Sequence, residues 1–151
     1  MLYRLSATIL LIACASFAAV TSIDVTERSD DGGYQRIAGK VHYAIDPQLP
    51  PNRSIADINF APRNAEGKVE FSSDIYILRP RDPSKRNGTL LVEIPNRGGK
   101  GLAVMFNLGD QFLLEQGFTL VWVGWELDLP PTPGLLRAAA PIATNKGKPI
   151  I

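Results

Sequence analysis

The segment from Phe118 to Trp125 constrains the fold of this chain more than any other. Its letters, FTLVWVGW, are the most hydrophobic stretch after the N-terminal region. Because alternate residues of a strand point to opposite faces, and apolar residues occupy both sets, a strand here needs cover on both faces. We therefore expect a buried strand with a neighbouring strand on each side and helices above and below the sheet.

The elements before this segment predict an α/β fold. A second apolar run, Leu90–Ile94, leads into the glycine-rich loop PNRGGKG and then into a short helix over 110–116, where Asp110 can cap the start and Gly117 suits the exit. Upstream, alternation and turn residues predict strands over 35–45, 55–60 and 69–78, the last two joined as a hairpin. The expected architecture is an α/β fold, with a β-rich N-terminal region followed by a first βαβ unit.

Residues 1–22 have the pattern of a secretory signal peptide. Arg4 is followed by an uncharged, mostly apolar stretch that is short for a membrane span. We therefore expect no membrane span, an exported protein in the periplasm or outside the cell, and a mature domain over 23–151. An alternative is a lipid anchor at Cys14, because LIAC is similar to a bacterial lipoprotein box. Cys14 is the only cysteine, so residues 23–151 contain neither a disulfide nor a catalytic thiol.

Charge and ligand chemistry exclude several classes of function. Lys and Arg number 16 against 15 Asp and Glu, with the two signs interspersed, which argues against a nucleic-acid partner. With one histidine and no cysteine cluster, we expect no transition-metal site and no cofactor. Asp46, Asp57 and Asp74 are dispersed, which favours turn or strand-end roles over a calcium site.

The glycine-rich loop after Ile94 is compatible with a phosphate site. The spacing of a P-loop fails, because Gly rather than Ser or Thr follows Lys100. A dinucleotide fingerprint fits better, with Gly99 and Gly101 as its first two glycines and Glu126 or Asp128 as the ribose partner. Its third glycine position is Val104, where close helix packing calls for a small residue.

The same loop is compatible with an oxyanion hole or with a plain tight turn. Backbone N–H groups of Arg97, Gly98 and Gly99 are the oxyanion-hole candidates, because glycines allow close approach of a substrate. Arg97 could also orient a substrate carboxylate or pair with Glu93. Trp122 and Trp125 favour core packing, with a stacking platform as the alternative.

A family resemblance is carried by AIDP, IADI, the PNRG loop and VGWELD. With these motifs, residues 22–151 resemble the N-terminal portion of the exported bacterial α/β-hydrolase domain family, whose members are esterase-like. The resemblance implies an incomplete α/β-hydrolase-like fold over 23–151 and a small-molecule ester or amide substrate for the complete protein. It also implies that the nucleophile elbow and the triad acid and histidine lie beyond these residues.

The serines and the histidine agree with this reading. No serine has the G-x-S-x-G setting of a nucleophile elbow, and the only histidine, His42, precedes the serines at 54, 72, 73 and 84. A triad of Ser72 or Ser73 with His42 and Asp74 is left open by chain order. The predicted function is therefore the N-terminal fragment of a secreted serine hydrolase, inactive by itself. The alternatives are a non-catalytic exported β-rich binding module and a nucleotide-binding βαβ domain.

Overall fold

The computed structural model describes residues 20–107 and 111–150. Its strands are β1 (Val20–Asp31), β2 (Tyr34–Ile45), β3 (Val69–Pro80), β4 (Leu90–Glu93), β5 (Thr119–Val123), β6 (Ala138–Ala139), β7 (Thr144–Asn145) and β8 (Lys148–Pro149). The two α-helices are α1 (Gly101–Asn107) and α2 (Phe112–Glu115), and 3-10 helices span Pro50–Ser54, Ile58–Phe60, Pro83–Lys85 and Asn96–Gly98.

One mixed sheet of six strands organises the described residues. Its order is β1-β2-β3-β5-β4, with the short β6 pairing on β3, while β7 and β8 form a separate two-stranded sheet. The β1–β2 turn is made by Gly32 and Gly33, both with positive φ, which suits a tight hairpin. The pairs β1–β2, β2–β3 and β3–β5 are antiparallel, and β4–β5 is parallel.

Strand β5 is the buried centre that the sequence predicts. It lies between β3 and β4, with Leu120 and Trp122 almost fully buried on one face and Val121 buried on the other. The first face packs against Leu113 and Leu136, while Val121 packs with the β2 and β3 side chains Val41 and Ile75. Burying one such apolar side chain fully contributes about 1.5–3 kcal/mol. Strand β5 therefore stabilises the packing on both faces of the sheet.

Strand β4 forms one edge of the sheet and is covered on one face only. Leu91 packs against the core cluster under the helices. Leu90, Val92 and Ile94, which alternate with it, are each at least half exposed. An apolar edge strand of this kind is prone to pair with other chains.

The predicted α/β class, with a first βαβ unit, is wrong. Over 20–107 and 111–150 the structure is β-rich, its two α-helices have seven and four residues, and its six-stranded sheet is mixed. An apolar run on both faces of β5 is equally compatible with a parallel α/β sheet and with the centre of a mixed sheet. The antiparallel neighbour β3 decides for the second. Part of the cover over Trp122 comes from Leu136 in an irregular segment, rather than from a crossover helix.

Several individual elements follow the sequence patterns closely. The strands predicted over 35–45 and 69–78 are confirmed as β2 and β3, and the apolar run Leu90–Ile94 contains β4. The strand predicted over 55–60 is wrong, because Ile58–Phe60 is a 3-10 helix. The predicted hairpin of this segment with 69–78 is therefore also wrong, and β3 pairs with β2 instead. The helix predicted over 110–116 corresponds to α2, although Asp110 lies outside the described residues. Helix α1 was not predicted.

The predicted signal peptide and the Cys14 anchor fall almost entirely outside the described residues. Only positions 20–22 of that segment are described, and they begin β1. Over 20–107 and 111–150, neither helix has the length and apolar character needed to cross a bilayer.

Candidate functional site

The glycine-rich loop and the acidic segment after β5 meet at one edge of the sheet. Since β4 and β5 are parallel, their carboxyl ends lie side by side, and the residues that follow each strand become neighbours. The loop after β4 makes a 3-10 turn over Asn96–Gly98 in which Arg97 has φ 52° and Gly98 has φ 73°. Two successive left-handed residues reverse the chain sharply, at a cost that glycine avoids and arginine does not.

Gly98 is the packing contact of this turn. It is buried, and its carbonyl accepts a hydrogen bond from the Leu136 N–H at 2.9 Å. A Cβ placed on Gly98 would lie 2.7 Å from the Leu136 carbonyl oxygen and 2.9 Å from Leu129 Cδ1. The segment after β5 therefore closes over a backbone that has no room for a side chain.

Glu126 holds the left-handed turn in place. Its Oε1 accepts the Arg97 backbone N–H at 2.8 Å, and its Oε2 accepts Arg97 Nη1 at 2.7 Å. The Glu126 side chain is only 9% exposed, so this carboxylate has exchanged water for two hydrogen bonds from a single residue. The pair compensates much of the desolvation of Glu126 and stabilises the strained conformation of Arg97.

Asp128 completes a three-residue ion cluster with Arg97 and Glu126. Its carboxylate accepts Arg97 Nη1 at 3.1 and 3.3 Å, and it is largely exposed. The hydrogen bond and charge of Asp128, with the charge of Glu126, raise the pKa of Arg97. The hydrogen bond from Arg97 in turn lowers the pKa of Asp128.

These contacts change the roles expected for Arg97. The predicted alternative partner Glu93 is elsewhere: its carboxylate accepts the Trp122 indole N–H and, at 2.7 Å, the Leu102 N–H at the start of α1. Both acids proposed as ribose partners, Glu126 and Asp128, instead accept hydrogen bonds from Arg97. A nucleotide would have to displace that guanidinium.

The oxyanion-hole candidates differ in how their N–H groups are used. The Arg97 N–H donates to Glu126, as described above. The Gly99 N–H donates to the Asn96 carbonyl at 3.3 Å, a long bond. Gly99 has ordinary φ −74°, and the nearest atom to a Cβ there would be 3.8 Å away. The oxyanion role of Arg97, Gly98 and Gly99 stays a prediction, and of the two glycines Gly99 has the more open surroundings.

A shallow recess of about 670 Å³ lies beside this turn. We call it the Trp125 recess; its lining residues are Asn96, Arg97, Trp125, Glu126, Leu127 and Asp128. Trp125 follows β5 and is 56% exposed, and its indole N–H donates to the Pro95 carbonyl at 2.9 Å. The two tryptophans therefore differ. Trp122 packs in the core, whereas Trp125 lies half-exposed with its ring oriented by the hydrogen bond to Pro95.

Lys100 ties the loop to the segment after β5 from the other side. Its Nζ donates to the Gly134 carbonyl at 2.8 Å and lies 4.9 Å from the centre of the Tyr76 ring. Burial lowers the pKa of Lys100. Lys100 therefore has its partners, the Gly134 carbonyl and the Tyr76 ring, outside the Trp125 recess.

The alternative triad is not assembled in the structure. His42 Nε2 lies 2.9 Å from Asp24 Oδ2, whereas Asp74 accepts Lys40 Nζ at 2.6 Å and the Arg137 N–H at 3.1 Å. Ser72 lies opposite His42 in the β2–β3 register. Ser73 is buried on the opposite face. Over the described ranges, no three His, Cys, Asp or Glu side chains are placed to hold a metal ion.

Comparison with known proteins adds no relative: no family model, curated protein or solved structure matches this chain. The resemblance to exported α/β-hydrolase domains therefore stays a prediction.

The structural role of Glu126 is the main feature of the site that the sequence patterns did not predict. Its signal in the sequence is an acid directly after the apolar segment Phe118–Trp125, because a carboxylate that such a segment buries needs a hydrogen-bond partner.

Proposed function

We propose that this chain is the N-terminal portion of an exported serine hydrolase that acts on carboxylic esters or amides. In this proposal the turn over 96–99 forms the oxyanion side of the reaction site. The nucleophile comes from polypeptide outside these 151 residues, because no serine here has the setting of a nucleophile elbow.

One observation carries the proposal. The glycine-rich turn lies at the carboxyl end of β4, beside the carboxyl end of its parallel neighbour β5. This edge is where sheets with parallel strands collect their reactive loops. A turn held by a buried carboxylate also meets the requirement that oxyanion donors be fixed before the charge develops.

The residues of the turn then take different parts. Gly99 is the proposed donor, because its N–H makes only a 3.3 Å bond to a neutral carbonyl, which a developing oxyanion would replace with a shorter, charge-assisted bond. Glu126 and Arg97 hold the turn. Gly98 allows the backbone to pack beneath Leu136 without a side chain.

The test compares this chain with the product of a longer reading frame, if the coding DNA continues past Ile151. We expect fluorophosphonate labelling and hydrolysis of short p-nitrophenyl esters by the longer product only. In that product, Gly99→Pro removes the N–H at a φ that proline accepts and should lower kcat about 10²–10³-fold. Gly99→Ala keeps the N–H and is the matched control.

Two results contradict the proposal. One is ester turnover by the 151-residue chain that disappears when one of its own serines is replaced by alanine. The other is a longer product that neither hydrolyses esters nor reacts with the fluorophosphonate.

A second candidate is a non-catalytic exported β-rich binding module. The observation that favours it is the half-exposed Trp125, which is held by a hydrogen bond in an open recess. A binding role needs no nucleophile, so it is compatible with the serines and the histidine of this chain.

A further inference from the structure

The Trp125 recess combines exposed apolar surface with polar and charged side chains. Trp125 and Leu127 each expose slightly more than half of their surface, and the lining is mostly apolar. Because the indole N–H is bound to the Pro95 carbonyl, the ring is oriented before any ligand arrives. A fixed, half-exposed aromatic ring provides a flat contact surface at little cost in conformational entropy.

The charges of the recess are directed at one another. Arg97 is paired with both Glu126 and Asp128, at 2.7 and 3.1 Å. An anionic ligand would compete with two carboxylates for one guanidinium, and the three groups together carry a net charge of −1. A cationic ligand would have to compete with Arg97 for the same acids. A charged ligand of either sign would therefore have to break an existing ion pair, whereas a neutral ligand would not.

A purely apolar ligand is also disfavoured. It would cover the polar groups of Asn96, Arg97 and Asp128 at the rim without replacing their contacts with water, and burying such groups unpaired is costly. A ligand with an apolar face and many hydroxyl groups avoids this cost. The amide of Asn96 donates and accepts, the carboxylate of Asp128 accepts, and the guanidinium of Arg97 has further donors.

We propose that the Trp125 recess binds a neutral sugar ring of an oligosaccharide, with a C–H face of the ring on Trp125 and its hydroxyls on Asn96, Arg97 and Asp128. The proposal is independent of the hydrolase proposal, because it concerns binding by this chain alone and needs no nucleophile.

The experiment is a titration of the full 151-residue chain with cellohexaose, maltohexaose and fully N-acetylated chitohexaose, which are all neutral. Binding is measured by calorimetry and by tryptophan fluorescence. We expect at least one of them to bind with a Kd on the order of 1 mM or tighter. Trp125→Ala should weaken that binding about tenfold or more, as expected for a lost stacking contact. Phe60→Ala is the matched control, because Phe60 is a similarly exposed aromatic residue that does not line the recess; it should leave binding unchanged.

Asp128→Ala keeps the test valid if Trp125→Ala does not fold, since Asp128 is largely exposed at the rim. It should weaken binding severalfold. The proposal is overturned if none of the three oligosaccharides binds, or if Trp125→Ala and Asp128→Ala both bind as the unchanged chain does. It is equally overturned if tetramethylammonium or benzoate binds at Trp125 more tightly than every oligosaccharide.

Discussion

Replacement of Gly98 by alanine should destabilise the protein far more than the same change at Gly99. Gly98 has φ 73°, and a Cβ there would lie 2.7 Å from the Leu136 carbonyl oxygen and 3.0 Å from the Leu136 nitrogen. The left-handed conformation costs alanine about 1–2 kcal/mol, and forcing extra volume into a packed site costs about 1–3 kcal/mol more. The backbone of Leu136 cannot move away without stretching its 2.9 Å hydrogen bond to Gly98. We therefore expect a loss of roughly 2–5 kcal/mol in the free energy of unfolding.

Gly99→Ala provides the control within the same turn. Its φ of −74° suits alanine, and the nearest atom to the new Cβ would be 3.8 Å away. The change should be neutral or stabilising by about 0.5 kcal/mol, because alanine restricts the unfolded chain.

The assay is urea unfolding monitored by tryptophan fluorescence, to which the almost fully buried Trp122 and the half-exposed Trp125 both contribute. With a urea dependence of about 1–3 kcal/mol/M, the loss expected for Gly98→Ala should lower the midpoint by roughly 0.7–5 M. Equal midpoints for Gly98→Ala and Gly99→Ala would refute the reasoning, because they would mean that neither the positive φ nor the Leu136 contact constrains the turn.

Three further predictions concern the hydrogen bonds and the edge of the sheet. Burial raises the pKa of Tyr34, whose hydroxyl donates to the Leu114 carbonyl at 2.5 Å, so its contribution to stability is complete below the unfolded pKa of 10.0 and is lost as the pH rises through the higher folded pKa. Tyr34→Phe should therefore cost about 1 kcal/mol at neutral pH and make the fall in urea midpoint above pH 10 shallower; an unchanged alkaline slope would contradict this. Glu126→Gln should lower the urea midpoint more than Asp128→Asn, because the first carboxylate is buried and the second exposed. The reverse order would contradict the role of Glu126 in holding the Arg97 turn. Val92→Lys, on the exposed face of β4, should raise the concentration at which light scattering detects association, and no change would show that this edge is not the aggregating surface.

The strands were predictable because their apolar residues repeat locally. Alternation over 35–45 and 69–78 identifies β2 and β3, and the continuous run in Phe118–Trp125 identifies β5 as a buried strand. The α/β class did not follow from these patterns. Periodicity reports which faces of a strand are covered, but it does not report the direction of the neighbouring strand, and here β3 is antiparallel to β5.

The site was only partly predictable for the same reason. The sequence drew attention to Arg97, Gly98 and Gly99, but it assigned Glu93 as a possible partner of Arg97. The actual partner, Glu126, is 29 residues away in the chain. It reaches the turn because parallel pairing of β4 and β5 brings the two strand ends together.

What the sequence determined by itself is the burial of β5, because a segment that is apolar on both faces is stable only between neighbouring strands and beneath packed side chains. Only the tertiary structure decided that Glu126 holds Arg97 in a left-handed turn and that Trp125 stays exposed while Trp122 is buried. Local pattern governs which residues leave water. The contacts between residues distant in the chain depend on how the strands pair, and that pairing is set by the packing of the whole sheet.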